Sequence, residues 1–141
     1  MFPCFSQSHT ASAQVSEMLN GLSGSRYSSI WLDMETNTSP NCGWSKDYDA
    51  NCRFTQQLVQ AAQKSGKTVG LYASAYMWNT IMGGSDRCQH FGDLPLWYAH
   101  YDGVQNFNDF HAFGGWDQPY AKQYKGTTSI CDASVDLNYK K

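Results

Sequence analysis

The sequence predicts an α/β domain, a sheet or barrel in which parallel strands alternate with helices. Three observations carry the prediction. The first half alternates stretches of helical and strand periodicity, glycines fall where the helices should stop, and the second half adds further strand-like stretches. In residues 11–22, Val15, Met18, Leu19 and Leu22 recur at helical spacing, and Gly21 and Gly24 end the segment. In residues 28–35, Ile30, Leu32 and Met34 alternate with Trp31, Asp33 and Glu35. This is the period of two of a strand, with one apolar face and one acidic, aromatic face. Phe54, Leu58, Ala61, Ala62 and Ser65 mark a second helix face, with Gly66 in the place of a left-handed cap. Residues 67–74 read as a strand, and residues 75–82 as a short helix stopped by Gly83 and Gly84. Residues 96–101 are strongly strand-like, residues 122–124 form a weaker strand, and residues 134–138 a last one. Sheets of this kind carry their ligands at the carboxyl ends of the strands.

Composition narrows the function. A chain of 141 residues, 41% hydrophobic and 16% charged, can bury a core as one domain spanning residues 1–141. A formal net charge of -2 leaves no basic stripe for a phosphate backbone, so nucleic acid is not an expected partner. No apolar run approaches the roughly 18 residues of a membrane span, and the opening Met1-Phe2-Pro3-Cys4-Phe5 is shorter than a signal-peptide core of about 7 to 15 residues. No membrane partner is expected. The 5 Trp, 9 Tyr and 7 Phe fit either a well-packed core or an aromatic binding surface. Of the five cysteines, Cys42 with Cys52 and Cys88 with Cys131 are the expected disulfides. That leaves Cys4 either as a buried thiol or with a partner upstream of Met1.

The chemistry gathers on one strand. Asp33 and Glu35 stand at i and i+2, so both project from the same side, about 6.6 Å apart along a strand rising roughly 3.3 Å per residue. A wet strand face would produce the same string, but Trp31 shares the face and the carboxyl end of a strand is where parallel sheets place their sites. Two crowded carboxylates cannot easily both ionise. Glu35, nearer the mouth, is the expected proton donor, and Asp33, deeper, is expected to stay charged or to orient a substrate group. Asp136 either joins them from the last strand or has a structural hydrogen-bonding role. His9, His90, His100 and His111 lack the spacing of a metal catalyst, and no nucleophile elbow or phosphate loop is present, so neither metal nor cofactor is expected.

Six motifs stand in order: M-F-P-C at the start, W-L-D-M-E from residue 31, G-L-Y-A-S from 70, L-W-Y-A from 96, A-K-Q-Y from 121 and V-D-L-N-Y from 135. The chain resembles the lysozymes of glycoside hydrolase family 25, especially the cysteine-bearing forms of protists and invertebrates. The resemblance implies an incomplete (β/α) TIM-like barrel whose first strands are missing. It also implies hydrolysis of the β-1,4 bond between N-acetylmuramic acid and N-acetylglucosamine in bacterial peptidoglycan or a related amino-sugar polymer. It makes Glu35 the general acid and Asp33 the group that positions the substrate's acetamido function, whose oxygen would assist the reaction without a protein nucleophile. Asp136 maps to the last-strand carboxylate and Tyr72 to the strand tyrosine of the family. Trp97, Tyr98, Gln123 and Tyr124, with Trp31 on the acidic face, are the expected substrate-binding residues. In the family, M-F-P-C ends a third strand, ahead of which stand a first strand with another active-site Asp in a G-x-D-V-S-like motif and a second strand with its helix; neither of these two is found in this chain. A full barrel takes about 200 residues or more. The chain is therefore expected to lack roughly its first third. Implied with the family are a monomer when complete and a secreted or lysosomal and phagosomal location. The alternative is a non-catalytic glycan-binding relative or an inactive fragment.

Overall fold

Each stretch of alternating sequence becomes a strand of one sheet. The computed structural model describes residues 1–6 and 8–141 and contains α1 (Ala11–Gly21), β1 (Ser29–Asp33), α2 (Tyr48–Gln63), β2 (Thr68–Ala73) and α3 (Ala75–Met82). After a short 3₁₀ turn at Gln89–Phe91 come β3 (Leu96–Ala99), β4 (Ala121–Ile130) and β5 (Ala133–Tyr139). The strands lie in chain order; β1 to β4 are mutually parallel and β5 is antiparallel to β4. The architecture is mixed α/β, a five-stranded curled sheet. Among the described residues no helix is long and apolar enough to cross a membrane.

The helices begin and end on local chemistry. Thr10, Asp47 and Ser74 each accept a backbone N–H from the first turn that follows, and Gly83 takes the left-handed conformation, φ 80°, that stops α3. The second helix starts well before the apolar face read from the sequence: Tyr48, Asp49 and Asn51 lie in its first turn. The last strand reverses direction because Cys131 and Asp132, at φ 50° and 62°, make a two-residue turn too short for a crossover.

The alternation sorts the sheet into two faces. Ile30, Leu32, Met34, Val69, Leu71 and Leu96 are buried on the helix-covered face, against Phe54, Leu58, Ala62, Trp78 and Ile81. Burying one such side chain contributes roughly 1.5–3 kcal/mol. The polar and aromatic side chains are left to the other face.

Both expected disulfides are replaced by others. Cys4 pairs with Cys42, and Cys52 with Cys88, leaving Cys131 free and exposed at the β4–β5 turn. The loop after β1 folds back over the N-terminal segment: Asn37 Nδ2 donates to the Pro3 carbonyl at 2.9 Å, and the Phe5 N–H to the Cys42 carbonyl at 3.3 Å. That return brings Cys42 to Cys4, while Cys52 lies in α2 and meets the segment that follows α3. Neighbours in sequence were poor guides because the intervening helix carries Cys52 away from Cys42.

On the helix side of β4, Lys122 is fully buried, and its Nζ donates to Asp102 at 2.7 Å and to Asp109 at 2.6 Å. The Tyr98 hydroxyl also donates to Asp109, at 3.0 Å, and His100 Nδ1 lies 2.6 Å from it. Burial alone would raise the Asp109 carboxyl, but the hydrogen bonds from Lys122, His100, its own backbone and Tyr98 outweigh burial and hold it at about 2. The cluster ties the long segment between β3 and β4 to the sheet. Replacing Lys122 with Met should cost roughly 3–5 kcal/mol, because two carboxylates lose their buried counter-charge. Urea unfolding followed by tryptophan fluorescence measures the loss, and a change below about 1 kcal/mol would show the cluster to be ornamental.

Candidate active site

The site is built on the face that the helices leave open. Parallel register sets Asp33 of β1 beside Tyr72 of β2, and Tyr72 beside Trp97 of β3, so one transverse row carries all three. One step back along the strands, Trp31 pairs with Gly70, where a Cβ would overlap the indole ring. The glycine is what allows Trp31 to lie flat across β2. The rings then stack edge to face: Trp31 with Trp97 at 5.7 Å between centroids, Tyr72 with Trp97 at 4.9 Å, while Tyr120 lies tilted at 5.6 Å from Trp31.

A polar line crosses the same face. Gln123 of β4 accepts the hydroxyl of Tyr72 at 2.5 Å and that of Tyr101 at 2.6 Å on one atom, Oε1. Its Nε2 donates to Asp136 Oδ2 at 3.2 Å, and Asp136 Oδ1 accepts the Thr127 N–H at 2.9 Å. The Trp97 indole N–H donates to Asn138 Oδ1 at 2.9 Å, tying the aromatic floor to β5.

Glu35 lies just past the end of β1 rather than within it, since the strand stops at Asp33. Its main chain is nonetheless held, for the Trp44 indole N–H donates to the Glu35 carbonyl at 2.7 Å and the Met34 N–H to the Tyr72 carbonyl at 2.8 Å. Both carboxylates are half-buried and both lie close enough to Tyr72 for their charges to act on its hydroxyl. Burial chiefly, then the charges of Glu35 beside it, raises the Asp33 carboxyl to about 6, partly offset by the amine of Met1. Asp33, expected from the sequence to stay charged or to orient a substrate group, is thus a carboxyl whose proton affinity burial raises. Its Oδ1 is buried and has no hydrogen-bond partner. Burial likewise pushes the Tyr72 hydroxyl well above the usual tyrosine range, helped by the hydrogen bond with Tyr101 and by the charges of Tyr101, Glu35 and Asp33.

Of the residues singled out from the sequence, Trp31, Asp33, Glu35, Tyr72, Trp97, Gln123 and Asp136 come together. Tyr98 and Tyr124 do not. Each follows a groove residue by one position and so points to the opposite face, where Tyr98 is buried against Phe107 and Phe110 and the Tyr124 hydroxyl accepts from Gln105 Nε2 at 3.0 Å. A cavity of about 260 Å³ beyond the end of β3, lined by Tyr76, Tyr98, His100, Phe110, His111 and Phe113, lies on that side too. Tyr101 was missed, although its even spacing from Trp97 places it on the groove face; Tyr120 precedes β4 and carried no periodic signal. His100, Asp102 and Asp109 bring ligand atoms within 4.8 Å of one another, as a metal set would. There the Lys122 ammonium already donates to both carboxylates.

The sequence of residues 1–124 matches the family model described as Lysozyme-like protein 1. The chain belongs to the glycoside hydrolase family 25 lysozymes. This family 25 chain is 41% identical over 141 residues to "Probable GH family 25 lysozyme 4" of Dictyostelium discoideum, covering 99% of the chain and 62% of that relative. It is 39% identical over 146 residues to "Probable GH family 25 lysozyme 5" of the same organism, again covering 99% and 62%. It thus spans about three-fifths of the length of these relatives. The fold is shared with the bacterial lysozyme from Streptomyces coelicolor, at a TM-score of 0.71 and 22% identity over 93% of this chain and 61% of that one.

The raised Asp33 gives the family 25 chain a stability signature. Its folded value, about 6, exceeds the ordinary 3.8, so the folded state binds this proton more tightly than the unfolded state does. The contribution is fully present below pH 3.8 and lost as pH rises through 6. Asp33→Asn, which cannot ionise, should therefore gain on the parent chain between pH 4 and pH 7, by about 1 kcal/mol once solvent screening of a half-exposed group is allowed for. Thermal melts should show the gain as roughly 2–4 °C. A difference independent of pH would mean that Asp33 is not held protonated by burial.

Proposed function

We propose that this chain carries the cleft of a peptidoglycan-cleaving muramidase, its sheet forming part of a (β/α) barrel. The observation that carries the reading is the convergence of Asp33 and Glu35 with Tyr72, Gln123 and Asp136 on one aromatic face, at the carboxyl end of parallel strands. The relatives' names and the Streptomyces lysozyme support the same class of substrate. Trp31, Trp97 and Tyr120 offer apolar ring surface against which the faces of pyranose rings rest.

In this reading Glu35, at the mouth, gives its proton to the glycosidic oxygen as the bond from that oxygen to the sugar C1 breaks. The acetamido oxygen of the same sugar forms a bond to C1 from the other side, and Asp33 holds the acetamido group in place for that attack. Water then opens the cyclic intermediate and returns a proton to Glu35, with net retention at C1. Asp136, held by the Gln123 amide and the Thr127 N–H, closes the far side of the cleft. The two disulfides favour an exported or lysosomal destination, where thiols oxidise.

Incubation with purified bacterial peptidoglycan should release reducing ends, and Glu35→Gln should cut the release at least about 100-fold while sedimentation with the insoluble wall persists. Wall binding by the parent chain without any release would favour a glycan-binding protein that does not cut. Release unaffected by Glu35→Gln would remove Glu35 from the chemistry.

A further inference from the structure

The sheet fixes the main chain of β1 as far as Met34, whose N–H donates to the Tyr72 carbonyl at 2.8 Å. Glu35 stands one residue beyond that point. Among the described residues the one hydrogen bond found on Glu35 comes from the Trp44 indole N–H, which donates to its carbonyl at 2.7 Å. An indole has a single N–H to give, and Trp44 gives it here. The ring itself is held firmly. It packs against Phe5 at 6.2 Å and Phe54 at 6.1 Å between centroids, and those two rings meet each other at 5.0 Å. Two residues before it, Cys42 is bridged to Cys4. One residue after it, the Ser45 N–H donates to Asn51 Oδ1 and the Ser45 carbonyl accepts from Asn51 Nδ2, both at 2.9 Å. Asn51 is fully buried, and its Nδ2 also donates to the Ile81 carbonyl at 2.7 Å, so the anchor joins α2 to α3.

We infer that Trp44 is a positioning residue for Glu35: an indole clamped by a disulfide, two phenylalanines and a buried asparagine fixes the Glu35 carbonyl, and with it the direction in which the carboxyl leaves the main chain. A carbonyl held in place sets the plane of the peptide bond that follows it, because that unit is rigid. With the Met34 N–H tied on the preceding side, Glu35 is bracketed, and its side chain has its own rotamers left to choose from and little else. The carboxyl so directed stands near enough to Tyr72 for its charge to act there. An acid that must meet a glycosidic oxygen gains from such bracketing, since an error of about 1 Å in placement can cost a factor of roughly 100 in rate. The part played in turnover rests on the proposed role of Glu35 as proton donor; the fixing of the main chain does not.

The test removes the indole N–H and keeps a ring in its place. In Trp44→Phe, nitrogen-15 relaxation on the intact chain should show the order parameters of the Glu35 and Thr36 amides falling from about 0.85 toward about 0.6, while Leu32 and Asp33 stay rigid. With peptidoglycan as substrate, kcat should fall at least about 10-fold at unchanged KM. Replacing Trp44 with 3-benzothienylalanine, in which sulfur stands where the N–H was, preserves the packing and should give the same two results; it decides the matter if Trp44→Phe does not fold or if the two differ. Unchanged order at Glu35 and Thr36 in the sulfur analogue would overturn the inference. So would a loss of order that spreads through β1, because Trp44 would then be a packing residue alone. Raised KM at unchanged kcat would remove it from the turnover step. Should the parent chain release no reducing ends, the proposed function fails, and the relaxation measurement still decides whether Trp44 positions Glu35.

Discussion

The parallel pairing of β1 with β2 is the constraint on which the rest of the molecule depends. It places Asp33 beside Tyr72 and Trp31 over Gly70, and in the same register it turns Ile30, Leu32, Val69 and Leu71 toward the helices. A slip of one residue would exchange the two faces, placing carboxylates in the core and leucines in the cleft. Burial of the apolar face therefore sets the position of the chemistry. The site needs no separate scaffold, because the hydrophobic register is the scaffold.

What surrounds this pair restrains it from both ends. The loop after β1 is drawn back over the N-terminal segment by the Cys4–Cys42 bridge and by Asn37, and it carries the Trp44 that holds the Glu35 carbonyl. Phe5, Trp44 and Phe54 pack together beneath it, so the main chain of Glu35 is anchored to the core through aromatic contacts. On the other flank the Lys122 cluster fixes the segment that ends in β4, and the next residue of that strand is Gln123. One residue of β4 thus neutralises carboxylates behind the sheet, and its neighbour orients hydroxyls in front of it.

The electrostatics of the cleft follow from depth more than from sign. Two carboxyl groups stand near one another, and burial chiefly, with the charge of Glu35 beside it, raises the proton affinity of Asp33. Tyr72 is pushed the same way, chiefly by burial, so it stays a neutral hydroxyl, hydrogen-bonded to Gln123 Oε1 and in contact with the Tyr101 hydroxyl.

Much of this was legible in the residues themselves. Period-two alternation in Ile30 to Glu35 identified the strand, its apolar face and the acidic one, and the glycines and small polar caps marked where helices start and stop, since these are local properties of the backbone. The same parity, applied one residue further, separates Trp97 and Gln123 from Tyr98 and Tyr124; reading the motifs as blocks concealed that difference. What the chain alone did not reveal depends on contacts between distant segments. The disulfide partners follow from a loop folding back on the N-terminal residues, and the Gln123 amide is oriented by side chains from β2, β5 and the loop after β3. The raised proton affinity of Asp33 follows chiefly from burial, which no spacing encodes. Local patterns chose the elements and their faces, and only the assembled sheet decided which atoms meet, because hydrogen bonds and desolvation act between residues far apart in the chain.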